Sequence, residues 1–318
     1  MKKFKVAVLD DYQNVTRRFA NWEELSEKIE LKIFNEYIGG DHNFLEKLFD
    51  YDILCLMRER TPLPGNLIKK LPNLKLVITS GMWNASVDEE TLKAKNIIYC
   101  GTETKIHPTA ELAWALIMIS WRGLQTEIQN MKHGNWQTTI GRGLKGNILG
   151  IFGLGKQGLQ VANYAKAFDM KVIAWSHNLK QEDCEKIGVE YVKSDDLLKM
   201  SDILTIHTRL SDRTRGFINK DNLKLMKKNS VIVNTSRGPI INEKDLIDAL
   251  NNDVISCAAL DVYDQEPLPK DHVLRKTKNL ILTPHIGYVS KESYEKFFNG
   301  YLKAIEAFIN KNPINQIS

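Results

Sequence analysis

Gly153-Leu154-Gly155-Lys156-Gln157-Gly158 follows the apolar run Asn-Ile-Leu-Gly-Ile-Phe at 147–152 and precedes an amphipathic stretch at 159–168. A GxGxxG pattern is weak by itself, but a strand before it and a helix after it are the context of a dinucleotide-binding βαβ unit. The first glycine permits the tight turn, the second lets the backbone approach a pyrophosphate, and the third lets helix and strand pack closely. The start of the helix adds free N–H groups and the positive end of the helix dipole. The six residues therefore predict a dinucleotide site, and a glycine turn that binds nothing is the alternative.

Strand and helix signals alternate on both sides of this turn, a pattern typical of a parallel sheet covered by helices on both faces. Helical stretches of the second half include 159–168 and 243–250. The amphipathic stretch 291–309 comes after a complete second sheet, so we expect it to pack on the first half of the chain. The predicted strands of the second half are 147–152, 171–175, 189–192, 202–207, 230–235, 255–262 and 280–283.

The first half of the chain shows the same alternation. Its predicted strands are 5–9, 31–34, 53–57, 74–79 and 97–100, and its predicted helices are 22–28, 44–49, 67–71 and 89–95. Between the halves, 107–121 is apolar on nearly every face, and such a helix must be buried, either between domains or between subunits. We predict an α/β protein with two doubly wound parallel-sheet domains. A flavodoxin-like substrate-binding (catalytic) domain comprises 1–100 and 288–318, and a Rossmann dinucleotide-binding domain comprises 101–287.

Composition excludes several classes of protein. The 318 residues, 43% apolar and 26% charged, suit a globular protein of about two domains. No apolar run approaches the ~20 residues of a membrane helix, and no secretion signal precedes the first predicted strand. The net charge of +5 is spread along the chain, without the basic stripe of a nucleic-acid-binding protein. The four cysteines lie far apart and no histidines have metal-ligand spacing, so we expect reduced thiols, a cytoplasmic location and no metal site.

The residues after the strand 171–175 bear on the choice of coenzyme. A carboxylate at the end of this strand would bind the adenosine ribose of NAD and repel the 2′-phosphate of NADP. Here the strand is followed by Ser176, His177 and Asn178, and Lys180 comes shortly after. Because no acid occupies the position and Ser176, Asn178 and Lys180 could bind a phosphate, the sequence predicts that NADP is accepted or even preferred. A relaxed NAD site is the alternative.

Three polar segments follow predicted strands, at the edge where open α/β sheets bind ligands. They contain Arg237, Glu266 and His285. Each has a structural interpretation when taken singly, but behind a dinucleotide fold they supply the parts of carbonyl reduction. His285 would donate a proton, and Glu266 would bind the far ring nitrogen and favour the imidazolium. Arg237 would bind a substrate carboxylate and polarise the adjacent carbonyl.

The order and spacing of four motifs resemble the D-isomer-specific 2-hydroxyacid dehydrogenases, the family of D-3-phosphoglycerate dehydrogenase and glyoxylate/hydroxypyruvate reductase. The motifs are Gly153-Leu-Gly-Lys-Gln-Gly158, Asn234-Thr-Ser-Arg237-Gly238, Asp261-Val-Tyr-Asp-Gln-Glu266-Pro267 and Thr283-Pro-His285-Ile-Gly287. The resemblance implies an oxidoreductase that moves a hydride between NAD(P) and a small 2-hydroxy or 2-oxo acid, with Arg237, Glu266 and His285 as the catalytic set. It also implies that Arg58 and the backbone at Met82 and Trp83 bind the substrate. The residues implied to line the coenzyme are the glycine motif, Ser176, His177, Asn178, His207, Thr208, Thr235, Ser236, Arg237, Asp261, His285 and Gly287.

The sequence departs from the family pattern near the substrate. The loop Gly81-Met-Trp-Asn-Ala-Ser-Val-Asp88 replaces the usual Gly-Val-Gly-x-Asp-Asn-Ile-Asp, Lys105 stands where many relatives have Asn, and Tyr288 follows Gly287 in place of glycine. Trp83 and Tyr288 favour a small or apolar substrate group, unless both simply pack the seam between domains. The resemblance also predicts a homodimer that uses the apolar 107–121 region. The rival function is a non-enzymatic, NAD(H)-sensing corepressor-like module.

Overall fold

The computed structural model describes residues 2–39, 44–103 and 108–317. The chain forms two compact units, unit 1 (Met1–Ile106 with Val289–Ser318) and unit 2 (His107–Tyr288). The strands are β1 (Phe4–Val8), β2 (Ile29–Ile33), β3 (Ile53–Leu56), β4 (Leu76–Ser80), β5 (Ile98–Thr102), β6 (Ile148–Phe152), β7 (Lys171–Trp175), β8 (Glu190–Tyr191), β9 (Ile203–Ile206), β10 (Val231–Asn234), β11 (Cys257–Leu260) and β12 (Leu280–Leu282). The helices are α1 (Thr16–Phe19), α2 (Phe44–Leu48), α3 (Gly65–Ile68), α4 (Glu89–Ala94), α5 (Pro108–Trp121), α6 (Leu124–Lys132), α7 (Lys156–Ala167), α8 (Gln181–Glu185), α9 (Ser194–Met200), α10 (Lys220–Leu225), α11 (Glu243–Asn251) and α12 (Lys291–Ile309).

The sheet of unit 1 has five parallel strands in the order β2-β1-β3-β4-β5. This is the flavodoxin-like order, in which ligands bind beyond the carboxyl ends of the strands near the switch from β1 to β3. The central strands β3 and β4 are buried along their whole length, because helices cover both faces of the sheet. α12 packs on β4 and β5, and the hydroxyl of Tyr301 donates to the carbonyl of Leu56 at 2.8 Å.

One predicted helix of unit 1 is wrong. The segment 22–28 forms only a short 3₁₀ helix, Trp22–Leu25, and β2 begins at Ile29. Trp22 and Leu25 are both buried, and residues three apart lie on one side of a 3₁₀ helix. The Trp22 indole also donates to the carbonyl of Thr16 at 3.0 Å. These anchors hold the segment in a tight turn and leave it no room for further helical turns before the strand.

The sheet of unit 2 has seven parallel strands in the order β12-β11-β10-β9-β6-β7-β8. The order reverses beside β6, the strand that leads into the glycine turn, and this is where a doubly wound sheet binds a dinucleotide. One hydrophobic core lies under α5 and α7, and a second lies under α9, α10 and α11. The two predicted doubly wound parallel sheets are therefore confirmed. Lys105 and His107, which the sequence analysis singled out, lie outside the described residues.

Three observations concern membranes, metals and thiols. Within the described ranges, no helix combines the length and apolar character needed to cross a membrane. Nor do the described His, Cys, Asp and Glu side chains gather in a group of three or more that could hold a metal ion. Cys55, Cys100 and Cys184 are buried free thiols, and Cys257 is a partly buried one.

Candidate active site

The glycine turn joins β6 to α7 in unit 2. Gly153 has φ +103°, a backbone conformation that side chains disfavour, and a Cβ there would lie 2.6 Å from the backbone nitrogen of Thr208. Nothing lies within 4 Å of a Cβ placed on Gly155. A Cβ on Gly158 would collide with the carbonyl oxygen of Gly153. Gly153 thus permits the tight turn, Gly155 leaves the backbone open to a ligand, and Gly158 lets the helix pack closely on the strand.

The surroundings of this turn fit a dinucleotide. α7 has 12 residues and begins at Lys156, directly after Gly155, so its free N–H groups border the open space. Among the described residues, the hydroxyl of Thr235 and Oε1 of Gln157 are buried without a hydrogen-bond partner. Buried polar atoms are normally paired. These two atoms therefore favour a polar ligand at the turn.

The segments after β9 and β10 are tied to each other and to the turn. The backbone nitrogen of His207 donates to the carbonyl of Phe152 at 2.8 Å, and the hydroxyl of Ser236 donates to the carbonyl of Thr208. The His207 ring lies 2.9 Å from the hydroxyl of Thr205. Burial lowers the pKa of His207 to about 4, so its imidazole is neutral near pH 7.

The turn after β7 holds Ser176, His177 and Asn178. Nε2 of His177 lies 3.2 Å from the carbonyl oxygen of Arg213, and the guanidinium of Arg213 donates to Oδ1 of Asn178 at 3.4 Å. Arg213 was not among the predicted site residues, because it lies far from this turn in the chain. The three arginines at 209, 213 and 215 were the available signal.

Arg237 follows β10 on a loop organised by Asn234. The buried Asn234 side chain donates to the carbonyl of Arg237 at 2.9 Å and accepts from the backbone nitrogen of Ser236 at 3.0 Å. The guanidinium of Arg237 donates to the Ser236 carbonyl at 2.7 Å. A Cβ on Gly238 would collide with the backbone of Tyr263. Glycine therefore allows the loop of Arg237 to approach the loop that carries Glu266.

Asp261, at the end of β11, shapes the loop of His285. Its carboxylate accepts from the Thr283 hydroxyl at 2.6 Å and from the backbone nitrogens of Ile286 and Gly287 at 2.8 Å each. Burial raises the pKa of Asp261, although these hydrogen bonds oppose the shift. His285 itself has φ 51°, a left-handed conformation that is uncommon for a side-chain-bearing residue. The carboxylate thus fixes the backbone on both sides of the histidine.

The side chains of Glu266 and His285 are in direct contact. Oε2 of Glu266 contacts Nδ1 of His285, and Oε1 accepts from the backbone nitrogen of Tyr263 at 2.9 Å. The Tyr263 hydroxyl donates to the Thr283 carbonyl at 2.7 Å, which links the two loops. A carboxylate on Nδ1 fixes the orientation of the ring. Nε2 is then the nitrogen that can exchange a proton with a ligand.

Tyr288 lies against the histidine. Its ring meets that of His285 edge to face, with ring centroids 5.7 Å apart. The bulky residue therefore borders the imidazole of His285 within unit 2.

In unit 1, the predicted substrate residues surround Gly81. The guanidinium of Arg58 donates to the Ser80 carbonyl at 2.9 Å, and a Cβ on Gly81 would collide with it. Gly81 has φ +87°. The following Met82 and Trp83 are 42% and 51% exposed. The structure therefore groups Arg58, Met82 and Trp83 at the carboxyl ends of β3 and β4.

A second polar cluster in unit 1 was missed from the sequence. The carboxylate of Asp10, after β1, accepts from the Thr61 hydroxyl at 2.8 Å, and burial raises its pKa to about 6. The guanidinium of Arg60 donates to the Asp10 carbonyl at 3.0 Å and lies 4.7 Å from the ring centre of Tyr12. The available signal was position, since Asp10 and Arg60 both follow strands that flank the switch point of the sheet.

Residues 114–287 match the family model described as D-isomer specific 2-hydroxyacid dehydrogenase, NAD binding domain. The chain belongs to the D-isomer specific 2-hydroxyacid dehydrogenase family. As a member, it is an NAD(P)-dependent oxidoreductase of 2-hydroxy acids. The resemblance inferred from the four motifs is thereby confirmed.

Similar proteins in this family include enzymes with different names. The chain is 34% identical to a glyoxylate reductase of Aeropyrum pernix over 85% of this chain and 84% of the relative. It is 31% identical to a hydroxypyruvate reductase of Blautia hydrogenotrophica over 99% of both chains. It is 36% identical to a D-3-phosphoglycerate dehydrogenase of Methanocaldococcus jannaschii over 78% of this chain, but spans only 48% of that protein. All three are named as oxidoreductases, which favours the enzyme over the NAD(H)-sensing module.

A solved structure shares the fold along the whole chain. The phosphoglycerate oxidoreductase of Vibrio cholerae is 33% identical, with a TM-score of 0.90 over 97% of this chain and 99% of the other. A TM-score this high across both units agrees with two doubly wound sheets in one dehydrogenase chain.

Proposed function

We propose that the enzyme reduces a small 2-oxo acid, such as glyoxylate or hydroxypyruvate, to the D-2-hydroxy acid, and catalyses the reverse reaction. The contact between Glu266 and Nδ1 of His285 carries the proposal, because it positions a group that can donate a proton beside the loop of Arg237. The names of the two relatives that match most of this chain support the choice of substrates.

When bound, the reduced nicotinamide supplies the hydride that reaches C2 of the 2-oxo acid. Nε2 of His285 gives its proton to the carbonyl oxygen, so that the product is a hydroxyl group. The Glu266 carboxylate on Nδ1 holds the ring orientation and stabilises the imidazolium before transfer. In the oxidation direction, the neutral imidazole takes the proton back.

Arg237 binds the substrate carboxylate in this proposal. A guanidinium fork can hold a carboxylate through two parallel hydrogen bonds and can polarise the neighbouring carbonyl. Asn234 and Gly238 support the assignment, because the first fixes the backbone of the loop and the second lets it lie against Tyr263. The backbone amides after Gly81, with Arg58, are proposed to bind substrate within unit 1, the substrate-binding domain.

The residues proposed to hold the coenzyme are those of unit 2 that border the glycine turn. The N-terminus of α7 would bind the pyrophosphate, and Thr235 and Gln157 offer unpartnered polar atoms. His207, Thr208, Ser236, Asp261 and Gly287 stand at the same carboxyl edge of the sheet. Ser176, His177 and Asn178 occupy the ribose end, where the missing acid supports acceptance of NADPH.

One experiment tests substrate and coenzyme together. Steady-state rates are measured for glyoxylate, hydroxypyruvate and longer 2-oxo acids, each with NADH and with NADPH. We expect turnover of the small acids with both coenzymes. Absence of turnover with every 2-oxo acid contradicts the proposed substrates. A kcat/KM for NADPH about a hundredfold below that for NADH contradicts the acceptance of NADP, since it equals a penalty of about 2.7 kcal/mol.

We also propose a homodimer, formed through α5 and the segment after it. Ile128, Met131, Trp136 and Ile140 are between 51% and 99% exposed, and Ala115 of α5 is exposed as well. Apolar patches of this kind mark interaction surfaces, and an almost entirely apolar α5 needs cover on its open face. Sedimentation should give a dimeric mass that becomes monomeric when Trp136 and Ile140 are changed to Asp. A monomeric wild type contradicts the proposal.

A cytoplasmic location stays a prediction.

A further inference from the structure

The turn formed by residues 209–215, after β9, reaches the ribose end of the proposed coenzyme site. Resting on the proposed function, we infer that the guanidinium of Arg213 binds the 2′-phosphate of NADPH and thereby sets the coenzyme preference. Arg213 is 35 residues from Asn178 in the chain and donates to its Oδ1 at 3.4 Å. Arg213 therefore lies next to the turn after β7, where an NAD-specific enzyme would have its ribose-binding acid.

The turn that carries Arg213 is held firmly. Thr214 is buried, and its hydroxyl donates to the Arg209 carbonyl at 2.8 Å and accepts from the Ser211 nitrogen at 2.8 Å. Phe217, just beyond, stacks on Trp175 with ring centroids 5.2 Å apart. Because Trp175 is the last residue of β7, this stack joins the arginine turn to the strand that directly precedes Ser176.

The backbone adds a second contact between the two turns. The carbonyl oxygen of Arg213 lies 3.2 Å from Nε2 of His177, and the His177 ring meets Trp175 edge to face at 4.8 Å between centroids. Arg213 is therefore positioned through both its main chain and its side chain. An arginine positioned before the ligand arrives loses less entropy when it binds a phosphate.

The charges around Arg213 leave it available for an anion. In the described part of the chain, no carboxylate forms an ion pair with its guanidinium, whose side-chain partner is the neutral amide of Asn178. Two of the three acids of α8 have partners of their own. Asp183 pairs with Lys186 at 3.4 Å, and Glu185 accepts from Gln181 at 2.8 Å. The guanidinium of Arg213 is thus exposed and not held by an acid in the described part of the chain.

The two coenzymes differ at the group that Arg213 is proposed to bind. NADPH differs from NADH only by a 2′-phosphate, which carries negative charge and three acceptor oxygens. A guanidinium binds such a group through charge-assisted, paired hydrogen bonds. NADH offers hydroxyl groups at the same place, and Arg213 then keeps its contact with Asn178. Loss of Arg213 should weaken NADPH and leave NADH almost unchanged.

The experiment is isothermal titration of the full-length protein with NADPH, NADH and 2′,5′-ADP. The variants are Arg213→Ala, Arg213→Lys and, as the matched control, Arg215→Ala. Arg215 lies in the same turn and carries the same charge, but its guanidinium is near Asp264 instead. Titration reports binding directly, so the result does not depend on turnover.

We expect Arg213→Ala to weaken NADPH and 2′,5′-ADP by about tenfold to a hundredfold, the range for a charge-assisted hydrogen bond, with NADH within about twofold of wild type. Arg213→Lys should recover part of the loss, and Arg215→Ala should match wild type. Equal weakening of NADH and NADPH, or no weakening of either by Arg213→Ala, overturns the role of Arg213 and leaves the proposed oxidoreductase intact. A wild type that binds neither coenzyme overturns the proposed coenzyme site itself.

Discussion

The two sheets carry different chemistry at the carboxyl ends of their strands. In unit 2, the ends of β11 and β12 bring together a carboxylate and an imidazole, Glu266 and His285, beside the loop of Arg237. In unit 1, Asp10 follows β1, and the guanidinium groups of Arg58 and Arg60 follow β3. Asp10 is almost completely buried and bonded to Thr61. Only unit 2 therefore offers, among these groups, a partly exposed acid–base pair.

This difference separates two tasks. The partly buried guanidinium of Arg58 and the backbone amides around Gly81 in unit 1 suit the binding of an anion, whereas the paired Glu266 and His285 suit the transfer of a proton. We therefore expect changes at the ends of β10, β11 and β12 to slow the chemical step. Changes at the ends of β3 and β4 should alter which substrate binds and how tightly.

A large loss of activity is expected at Arg237. Arg237→Ala should lower kcat/KM for 2-oxo acid reduction by about 10²–10³-fold, the usual cost of losing one electrostatic contact to the reacting group. Arg237→Lys should recover little, because a point charge does not replace a two-pronged fork. Steady-state kinetics measures both. Near-wild-type turnover by the Ala variant would reject Arg237 as the residue that binds the substrate carboxylate. It would also contradict the expectation that changes in unit 2 slow the chemical step.

A smaller loss is expected at Glu266. Glu266→Gln should lower kcat by about tenfold to a hundredfold with KM unchanged, because the amide no longer stabilises the imidazolium through a charged hydrogen bond. The matched control is Glu243→Gln, which breaks the other Glu–His pair of unit 2, with His272 at 3.4 Å. If both variants lose the same activity, Glu266 acts only through the stability of the unit.

Substrate choice should respond in both units. Tyr288→Gly removes the ring beside His285, and Trp83→Ala shortens the exposed side chain of unit 1. Each should raise the kcat/KM of a longer 2-oxo acid relative to glyoxylate by about tenfold, the scale on which pockets discriminate small apolar groups. Tyr288→Gly should act on kcat and Trp83→Ala on KM. An unchanged ratio in both variants means that the two rings only pack the protein.

The smallest effect concerns stability and His207. Since burial lowers its pKa from 6.5 to about 4, the unfolded chain takes up a proton on this residue before the folded chain does. Stability from the neutral ring is complete above pH 6.5 and is lost as pH falls towards 4. Wild type should lose roughly 1–3 kcal/mol more than His207→Gln over this window. Urea unfolding of both proteins across the window measures the difference. Equal losses contradict a buried neutral imidazole.

Most of the strands and site residues of unit 2 could be predicted from the sequence, because its motifs constrain the backbone. Gly153 has a positive φ and Gly158 allows close packing of helix on strand. Both features could be predicted from the spacing of the GxGxxG motif alone. α10 was not assigned, although Asn219 caps it through the nitrogens of Asp221 and Asn222. Its six residues are too few for a clear helical period.

Contacts between distant residues could not be predicted. Arg213 meets Asn178 beside the place where Phe217 packs on Trp175, and no local sequence pattern predicts that packing. The same holds for Arg60, whose partner Asp10 is 50 residues away. Strand ends in a parallel sheet meet at one edge, so the sequence located the site. It did not determine which side chains pair there.

The central claim is that His285, held by Glu266, donates the proton during reduction of a 2-oxo acid. Single-turnover oxidation of enzyme-bound NADH or NADPH by glyoxylate, compared between wild type and His285→Asn, tests it directly. We expect both proteins to bind the coenzyme with similar affinity, and the variant to oxidise it about 10²–10⁴-fold more slowly, the usual contribution of a general acid. Coenzyme oxidation by the variant at the wild-type rate would contradict the account.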